Sequence, residues 1–400
     1  MRIGLVLHQF PSLEHPYIFD WVKDMLEKDI ELRIITEKLS EPQSSKFWKM
    51  DKNLSSKIIQ INFINELNLI LFLKTSLIAL FHPGKLWQLI KTLKLSESMN
   101  FRSLLRKLVE YLPLLNYEFD LIHFNAPQIA IRRFELVNYF QAKSLVSFRG
   151  QDFSFYPDRY RPLLTKSDHL HFISNHLVEL ALENGYQGGK HSVIPPMINT
   201  EFYCPSKTEN QKVSPPYILF TAARLEWVKG YEFALQAVAI LLQKGIDIEY
   251  YIAGDGEFKD AVVYTIHQLG IHDHVHLLGW QTPEETREWM QKSDIYILAS
   301  VNEAFNNSVL QAQACGLAVV CSDAGGLPEN IIDGVTGFLF KRRNALDMAN
   351  KIEALLVNYE LRIKFGTNAR EHVIQKFSIN EKTSEFLDLY KKLHENIIYM

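Results

Sequence analysis

Short apolar runs alternate with amphipathic stretches through most of this chain. The runs at 2–7 (RIGLVL), 31–36 (ELRIIT), 120–124 (DLIHF), 144–148 (SLVSF), 169–173 (HLHFI) and 192–195 read as strands. Each is rich in branched or aromatic residues and bounded by turn formers. Between most of them the apolar period lengthens to 3.6, as at 16–28 and 174–184, which predicts helices. A break follows at 195–216, where Pro195, Pro196, Pro205, Pro215 and Pro216 surround the polar stretch SKTENQKVS, a linker composition. The pattern then restarts with YILFTA at 217–222, IEYYIAG at 248–254, VHLLG at 275–279, DIYILAS at 294–300, LAVVCS at 317–322 and TGFLF at 336–340. Residues 345–398 read as helices throughout. Continuous apolar strands alternating with helices imply parallel sheets covered on both faces. The fold class is therefore α/β: two doubly wound domains facing a cleft, with ligands expected at the carboxyl ends of the strands.

Composition adds exclusions. The chain has 400 residues, 47% hydrophobic and 22% charged, which rules out wholesale disorder, collagen and coiled coil. Its net charge of −3 is unevenly spread: residues 1–200 carry 24 basic against 20 acidic side chains, and residues 201–400 carry 19 against 26. That is not the profile of a general nucleic-acid binder. The N-terminal MRIGLVLHQF is too short in its apolar core for a signal peptide and reads as a buried strand. Cys204, Cys315 and Cys321 have no metal-ligand spacing and fit small core residues in a reducing cytosol. The stretch LNLILFLKTSLIALF at 67–81 is interrupted by Asn68, Lys74, Thr75 and Ser76, too polar for a span. Beyond it, Lys74, Lys85, Lys91, Lys94, Arg102, Arg106 and Lys107 face only Glu97 and Glu110, with Leu86, Trp87, Leu89, Ile90 and Leu93 interleaved. Such segments either cover a core as ordinary surface helices or lie peripherally on an anionic membrane, here the inner face of a plasma membrane.

Candidate chemistry sits in the loops after the second set of strands. In ARLEWVKG, Arg224 and Lys229 stand five residues apart at a helix entrance, suited to a diphosphate, although solvated surface charges would look the same. Gly254 and Gly256 in GDGE permit close backbone approach, for an anion cradle or simply a tight turn. Glu303 precedes a helix expected to begin near Asn307 or Ser308, with Val309 following and Gln311 one turn inside. A loop acid and a helical amide flanking free backbone N–H groups suit a sugar phosphate. Gly325 and Gly326 are expected to open a further helix N-terminus beside the same anion. The cluster His272, His274 and His276 is not read as a metal site, and no other metal ligand set stands out.

The order ARLEWVKG, IAGDGE, VHLLGW, EAFNNSVLQAQACG, DAGGLPENIIDGVTGFLF resembles the donor-binding domain of retaining, family 4 glycosyltransferases of GT-B fold. These motifs cover about residues 215–345. FPSLEHPYIFDWVKDML, SFRGQD and FISNHLVELALENGYQGGKHSVIPPMINTEFY resemble first-domain segments of the bacterial surface-polysaccharide branch. The resemblance implies an acceptor-binding domain over 1–200, with 380–400 packing back on it, and a nucleotide-sugar donor domain over 201–379. It assigns Arg224 and Lys229 to the diphosphate, Glu303 to the donor sugar, and Gly254, Gly256, Asn307, Ser308, Val309 and Gly325 to the donor pocket. Phe10 and Asp152 fall on the acceptor side. Two positions depart from the pattern: the second Glu of Glu-x7-Glu, which contacts ribose, is Gln311, and the catalytic-loop His is Arg149. Gln keeps an acceptor oxygen but lacks charge, and Arg cannot act as a base.

The implied activity is retaining transfer of a sugar from a nucleotide-diphosphate sugar to a glycan or lipid-linked acceptor, in exopolysaccharide, capsule or lipopolysaccharide synthesis. No cofactor beyond that substrate is implied, and no metal is needed if Arg224, Lys229 and helix amides neutralise the leaving group. The competing reading is a non-catalytic nucleotide-sugar-binding subunit, motivated by Gln311 and Arg149. A nucleotide-sugar epimerase of the same fold would need an acidic pair that the first-domain loops do not show.

Overall fold

The computed structural model describes all residues except 13–15, 29, 40–51, 62–78, 97–100, 151, 156, 207–214 and 399–400. Lys74, Glu97, most of the apolar stretch at 67–81 and the linker stretch at 207–214 therefore lie outside the described residues. The chain divides into two compact units: residues 1–172, 179–194 and 383–400 form the first, and 173–178 with 195–382 the second.

The first unit is built on strands β1 (Arg2–Phe10), β2 (Glu31–Leu39), β3 (Ile58–Gln60), β4 (Leu121–Phe124), β5 (Lys143–Phe148), β6 (His169–Phe172) and β7 (His191–Val193). They lie in the order β3-β2-β1-β4-β5-β6-β7, and every neighbouring pair is parallel. Among the described strands, β3 is the one that the apolar pattern does not reveal. Branched residues on both faces are buried, as Ile3, Val6, Ile34, Ile35 and Ile122 show. The two-sided burial explains why these strands read as runs rather than alternations.

The second unit holds β8 (Tyr217–Ala222), β9 (Ile248–Ala253), β10 (Val275–Gly279), β11 (Ile295–Leu298), β12 (Ala318–Ser322) and β13 (Gly337–Phe340). Their order is β10-β9-β8-β11-β12-β13, again all parallel. Each sheet reverses its strand order beside its first strand, between β1 and β4 and between β8 and β11, the position where such sheets bind ligands. Helices Ala345–Val357, Tyr359–Phe377 and Ile379–Ile398 close the chain, and from Thr383 onward it belongs to the first unit. There Phe386 and Tyr390 are buried, Phe386 against Trp21 and His171.

A buried polar chain runs through the first unit. His171 Nε2 lies 2.8 Å from the Ile194 carbonyl, which can only accept, so the direction of every later bond is fixed. Ser147 Oγ then donates to His171 Nδ1 at 2.7 Å, His123 Nε2 donates to Ser147 Oγ at 2.7 Å, and Tyr390 Oη donates to His123 Nδ1 at 2.7 Å. Every member is satisfied as a neutral group, which is what a buried polar network requires. Burial, aided by Arg149 nearby, lowers the His171 pKa to about 3, and burial with His171 and Arg149 holds His123 well below its ordinary value. The three cysteines are free, and Cys315 and Cys321 are buried.

Candidate functional site

The site forms where β8 and β11 end. β11 stops at Leu298, and the following loop carries Ser300, Glu303 and Asn306, all buried. The sequence offers Asn307 or Ser308 as the helix cap, but Asn306 takes that role: its Oδ1 accepts from the Val309 amide at 3.0 Å. Asn306 can do so because Asn330 pins its backbone on both sides, accepting from its N–H at 3.1 Å and donating to its carbonyl at 3.0 Å. The helix Asn307–Ala314 then begins with the Asn307 and Ser308 amides unbonded among the described residues. Such amides are the donors that an anion takes at a helix N-terminus. The Ser308 hydroxyl is already engaged, accepting from Tyr296 Oη at 2.6 Å and donating to Asn306 Oδ1 at 2.8 Å.

Glu303 is divided between its two oxygens. Oε1 receives Lys229 Nζ at 2.5 Å, Ser300 Oγ at 2.9 Å and Asn306 Nδ2 at 3.1 Å. Oε2 has no hydrogen-bond partner among the described residues. One oxygen thus fixes the carboxylate while the other stays open to accept from a ligand hydroxyl. Lys229 reaches it from the 3₁₀ turn Trp227–Lys229, which is tied to the Glu303 loop by the Val301 amide donating to the Val228 carbonyl at 2.8 Å. Arg224 is more loosely held: its side chain is 70% exposed and its Nη1 lies 2.8 Å from Glu226.

The GDGE loop differs from the expected anion cradle. The Gly254 amide donates to the Gly279 carbonyl at 2.7 Å, and the Gly256 amide to Asp255 Oδ1 at 2.9 Å. Both amides are spoken for, and the glycines serve close packing against the loop after β8. A Cβ would fall 2.0 Å from the Ala223 oxygen at Gly254 and 2.4 Å from the Leu225 oxygen at Gly256. The expected second helix N-terminus is also absent, since Leu327–Glu329 is a single 3₁₀ turn. Gly325 matters for another reason. Its φ is +54° and a Cβ there would sit 2.1 Å from the Glu303 oxygen, while the next amide, of Gly326, donates to that oxygen at 2.8 Å. The loop after β12 thus props the backbone of Glu303.

Gln311 lies one turn inside the helix, and its Nε2 donates to Tyr203 Oη at 3.0 Å. That bond leaves the amide oxygen as the free end. Tyr203 carried no signal in the sequence, since its partner is 108 residues away. Ser300 and Asn306, three residues either side of Glu303, and Asn330, 24 residues from Asn306, are polar loop residues with no motif of their own in the sequence.

The first-unit residues form a separate group. Arg149 follows β5; its Nη1 donates to Tyr17 Oη at 3.4 Å, and Nε and Nη2 are buried without a partner among the described residues. Asp152 is buried and accepts from the Arg149 and Gly150 amides, both at 3.3 Å, and from Gln128 Nε2 at 3.0 Å. Burial raises its pKa despite these bonds. Asp152 therefore shapes the turn that presents Arg149. Phe10, expected on the acceptor side, is 1% exposed and its ring stacks on Phe19 in the core, so burial takes it out of reach of an acceptor. Of the histidine cluster, His274 and His276 both turn to Glu249, at 3.5 and 2.5 Å, and His272 to Asp273 at 3.6 Å.

Residues 205–372 match the family model of the glycosyl transferases group 1. The matched stretch includes Arg224, Lys229, Glu303 and Gln311. A D-inositol 3-phosphate glycosyltransferase of Corynebacterium kroppenstedtii is 31% identical over 185 residues, 44% of this chain and 40% of that protein. The N,N'-diacetylbacillosaminyl-diphospho-undecaprenol alpha-1,3-N-acetylgalactosaminyltransferase of Campylobacter jejuni is 28% identical over 236 residues, 56% of this chain and 61% of that protein. The matches thus span about half the length of these curated relatives. Among solved structures, Anabaena HepE in complex with UDP and glucose superposes with a TM-score of 0.74 at 15% identity, covering 98% of this chain and 99% of that one. A Rickettsia africae glycosyltransferase gives 0.69 at 22% identity, covering 99% of each chain. The two parallel-sheet α/β units thus have the GT-B fold of these structural neighbours.

Proposed function

We propose that this chain is a retaining glycosyltransferase that moves a sugar from a nucleotide-diphosphate sugar to a hydroxyl of a glycan or lipid-linked acceptor in surface-polysaccharide synthesis. The observation that carries this reading is the divided carboxylate of Glu303. Its Oε1 is locked by Lys229, Ser300 and Asn306, its Oε2 has no partner among the described residues, and the helix that follows begins with the unbonded amides of Asn307 and Ser308. Oε2 accepts from a donor-sugar hydroxyl. Lys229 and the two amides take the diphosphate, and Arg224, exposed and paired with Glu226, swings onto it. The Gln311 oxygen accepts from a ribose hydroxyl.

In the transfer the acceptor oxygen bonds to the anomeric carbon on the face from which the diphosphate leaves. The acceptor's proton passes to the departing phosphate oxygen. Without an enzyme nucleophile, catalysis rests on positioning and on stabilising the charge that grows on the diphosphate. No metal enters this scheme, because Arg224, Lys229 and the amides supply the positive charge. Arg149, with two unpaired N–H groups, holds an anionic group on the acceptor side. Support for a hydroxyl acceptor comes from the two curated relatives, whose names describe inositol phosphate and an undecaprenol-linked sugar as acceptors.

Incubation with a panel of UDP- and GDP-sugars and polyprenyl-linked acceptors tests the reading. Glu303→Gln is expected to lower turnover by about 100-fold or more, with nucleotide binding retained. Absence of binding to every nucleotide sugar would sink the proposal. Binding without hydrolysis or transfer would favour a non-catalytic subunit, the reading that the departures at Gln311 and Arg149 motivate.

A further inference from the structure

Helices Pro83–Ser96 and Phe101–Tyr111 pack against each other in the first unit and divide their residues sharply. Their inward side is tied down: Leu89 and Leu93 are buried, Gln88 Nε2 donates to the Tyr139 carbonyl at 3.0 Å, and Lys107 pairs with Glu135 at 2.6 Å. Their outward side exposes large apolar side chains among cationic ones. Trp87 is 69% exposed, Phe101 78% and Leu105 52%, and Phe81, just before the first helix, is 79% exposed. Trp87, Lys91 and Lys94 follow one another at four and three residues, and Phe101 and Leu105 at four, so each set shares a helix face. Lys85, Arg106 and Lys107 are balanced by Glu118, Glu110 and Glu135. Lys91, Lys94 and Arg102 have no carboxylate within salt-bridge distance among the described residues.

We infer that this face is a docking surface for an anionic lipid bilayer, with Trp87, Phe101 and Leu105 entering the interface and Lys91, Lys94 and Arg102 meeting the headgroups. Large aromatic side chains flanked by unpaired cations match both layers of such an interface, apolar beneath and negative above. A protein partner would more usually ask for a polar rim with paired charges. No helix among the described residues is long and apolar enough to cross a membrane, so the contact is a surface one. The inference goes beyond donor chemistry: it places the protein where a lipid-linked acceptor is presented.

The test is co-sedimentation of the full chain with vesicles of phosphatidylcholine alone or with 30% phosphatidylglycerol, measured without any nucleotide sugar. Binding is expected to the anionic vesicles and to fall at least tenfold in high salt, in the charge-reversed K91E/K94E/R102E variant, and in the W87S/F101S/L105S variant. All six side chains are exposed, and unchanged melting of both variants would confirm that the fold survives. Equal binding to neutral vesicles, no binding at all, or binding indifferent to both variants would overturn the proposal. So would a dimer by light scattering that the serine variant abolishes, since the face would then belong to a second copy. Because donor and acceptor are absent, failure here leaves the transferase reading intact, and failure of that reading leaves vesicle binding unexplained by activity.

Discussion

The two sheets have the same topology and different interiors. In the second unit the core is a continuous aliphatic cluster, with Leu219, Ile252, Ile295, Ile297 and Val320 on the strands and Leu235, Val238 and Leu241 on a covering helix. Its buried polar groups include the cluster around Glu303 after β11 and, before β11, the ion pair of Arg362 with Asp294 at 3.3 Å. The first unit instead buries titratable groups within the sheet: His123, Ser147 and His171 stand on three neighbouring strands and are joined to Tyr390. It also buries an ionic cluster in which Glu37 takes Arg133 Nε at 3.1 Å and Arg132 Nη2 at 2.9 Å. An aliphatic core is indifferent to pH and tolerates a polar site at its edge. A core held by neutral histidines is rigid and specific, but it depends on those groups remaining uncharged.

A break on the donor side should leave the first unit alone. Gly325→Ala would drive a Cβ to 2.1 Å from the Glu303 oxygen at a φ of +54°. The chain must then move the Glu303 loop or strain the backbone. We expect a stability loss of roughly 2–4 kcal/mol and near-complete loss of turnover. Peptide-resolved hydrogen exchange should show the loosening around 299–330 and unchanged protection in β4 to β6; loosening spread evenly over both units would contradict the comparison.

Acid should do the reverse. An unfolded histidine titrates near 6.5, whereas His171 is held at about 3. Between these values the unfolded chain binds a proton that the folded chain refuses, so stability falls as pH drops from about 6.5 toward 3. At pH 5, His171 alone would contribute a loss of about 2 kcal/mol. His123 acts in the same direction, and burial lowers His169 to about 4, adding to the effect. In the second unit His372 is held down by burial and Lys376, but it is only partly buried. Exchange in β4 to β6 should therefore accelerate between pH 7 and pH 5, after correction for intrinsic rates, well before exchange in β8 to β12. Equal acceleration in both sheets would remove the histidine chain from the explanation.

How much of this was legible in the sequence follows the same division. Among the described residues the strands stood out as short apolar runs, most of them buried on both faces, with β3 (Ile58–Gln60) the exception. Lys229 and Glu303 were legible because each sits at a fixed distance from a strand end. The residues that orient them were not. Ser300 and Asn306 look like ordinary loop residues, and Asn330 bonds Asn306 across 24 residues. Gly254 and Gly256 mark close backbone approach, and the backbone at Ala223 and Leu225 lies where a Cβ would fall. A glycine records that something is near without recording what.

The smallest expected effect is the most informative about the donor pocket. Gln311 donates through Nε2 to Tyr203 Oη, so its oxygen is turned away from Tyr203 and offers a neutral acceptor. Replacing it with Glu keeps the shape and reverses one bond, since Tyr203 Oη can donate to a carboxylate as readily as accept from an amide. The other carboxylate oxygen then offers a charge-assisted acceptor, roughly twice as strong as a neutral one. Gln311→Glu should therefore tighten nucleotide-sugar binding by about three- to tenfold, a gain of about 0.7–1.4 kcal/mol, read by calorimetry with kcat little changed. Tyr203→Phe in the native background should loosen binding, because the freed amide can rotate and present its NH₂ to the ligand. If neither substitution moves the dissociation constant, Gln311 lies outside the nucleoside contact, and the pocket must be drawn around Glu303, Lys229 and the helix amides alone.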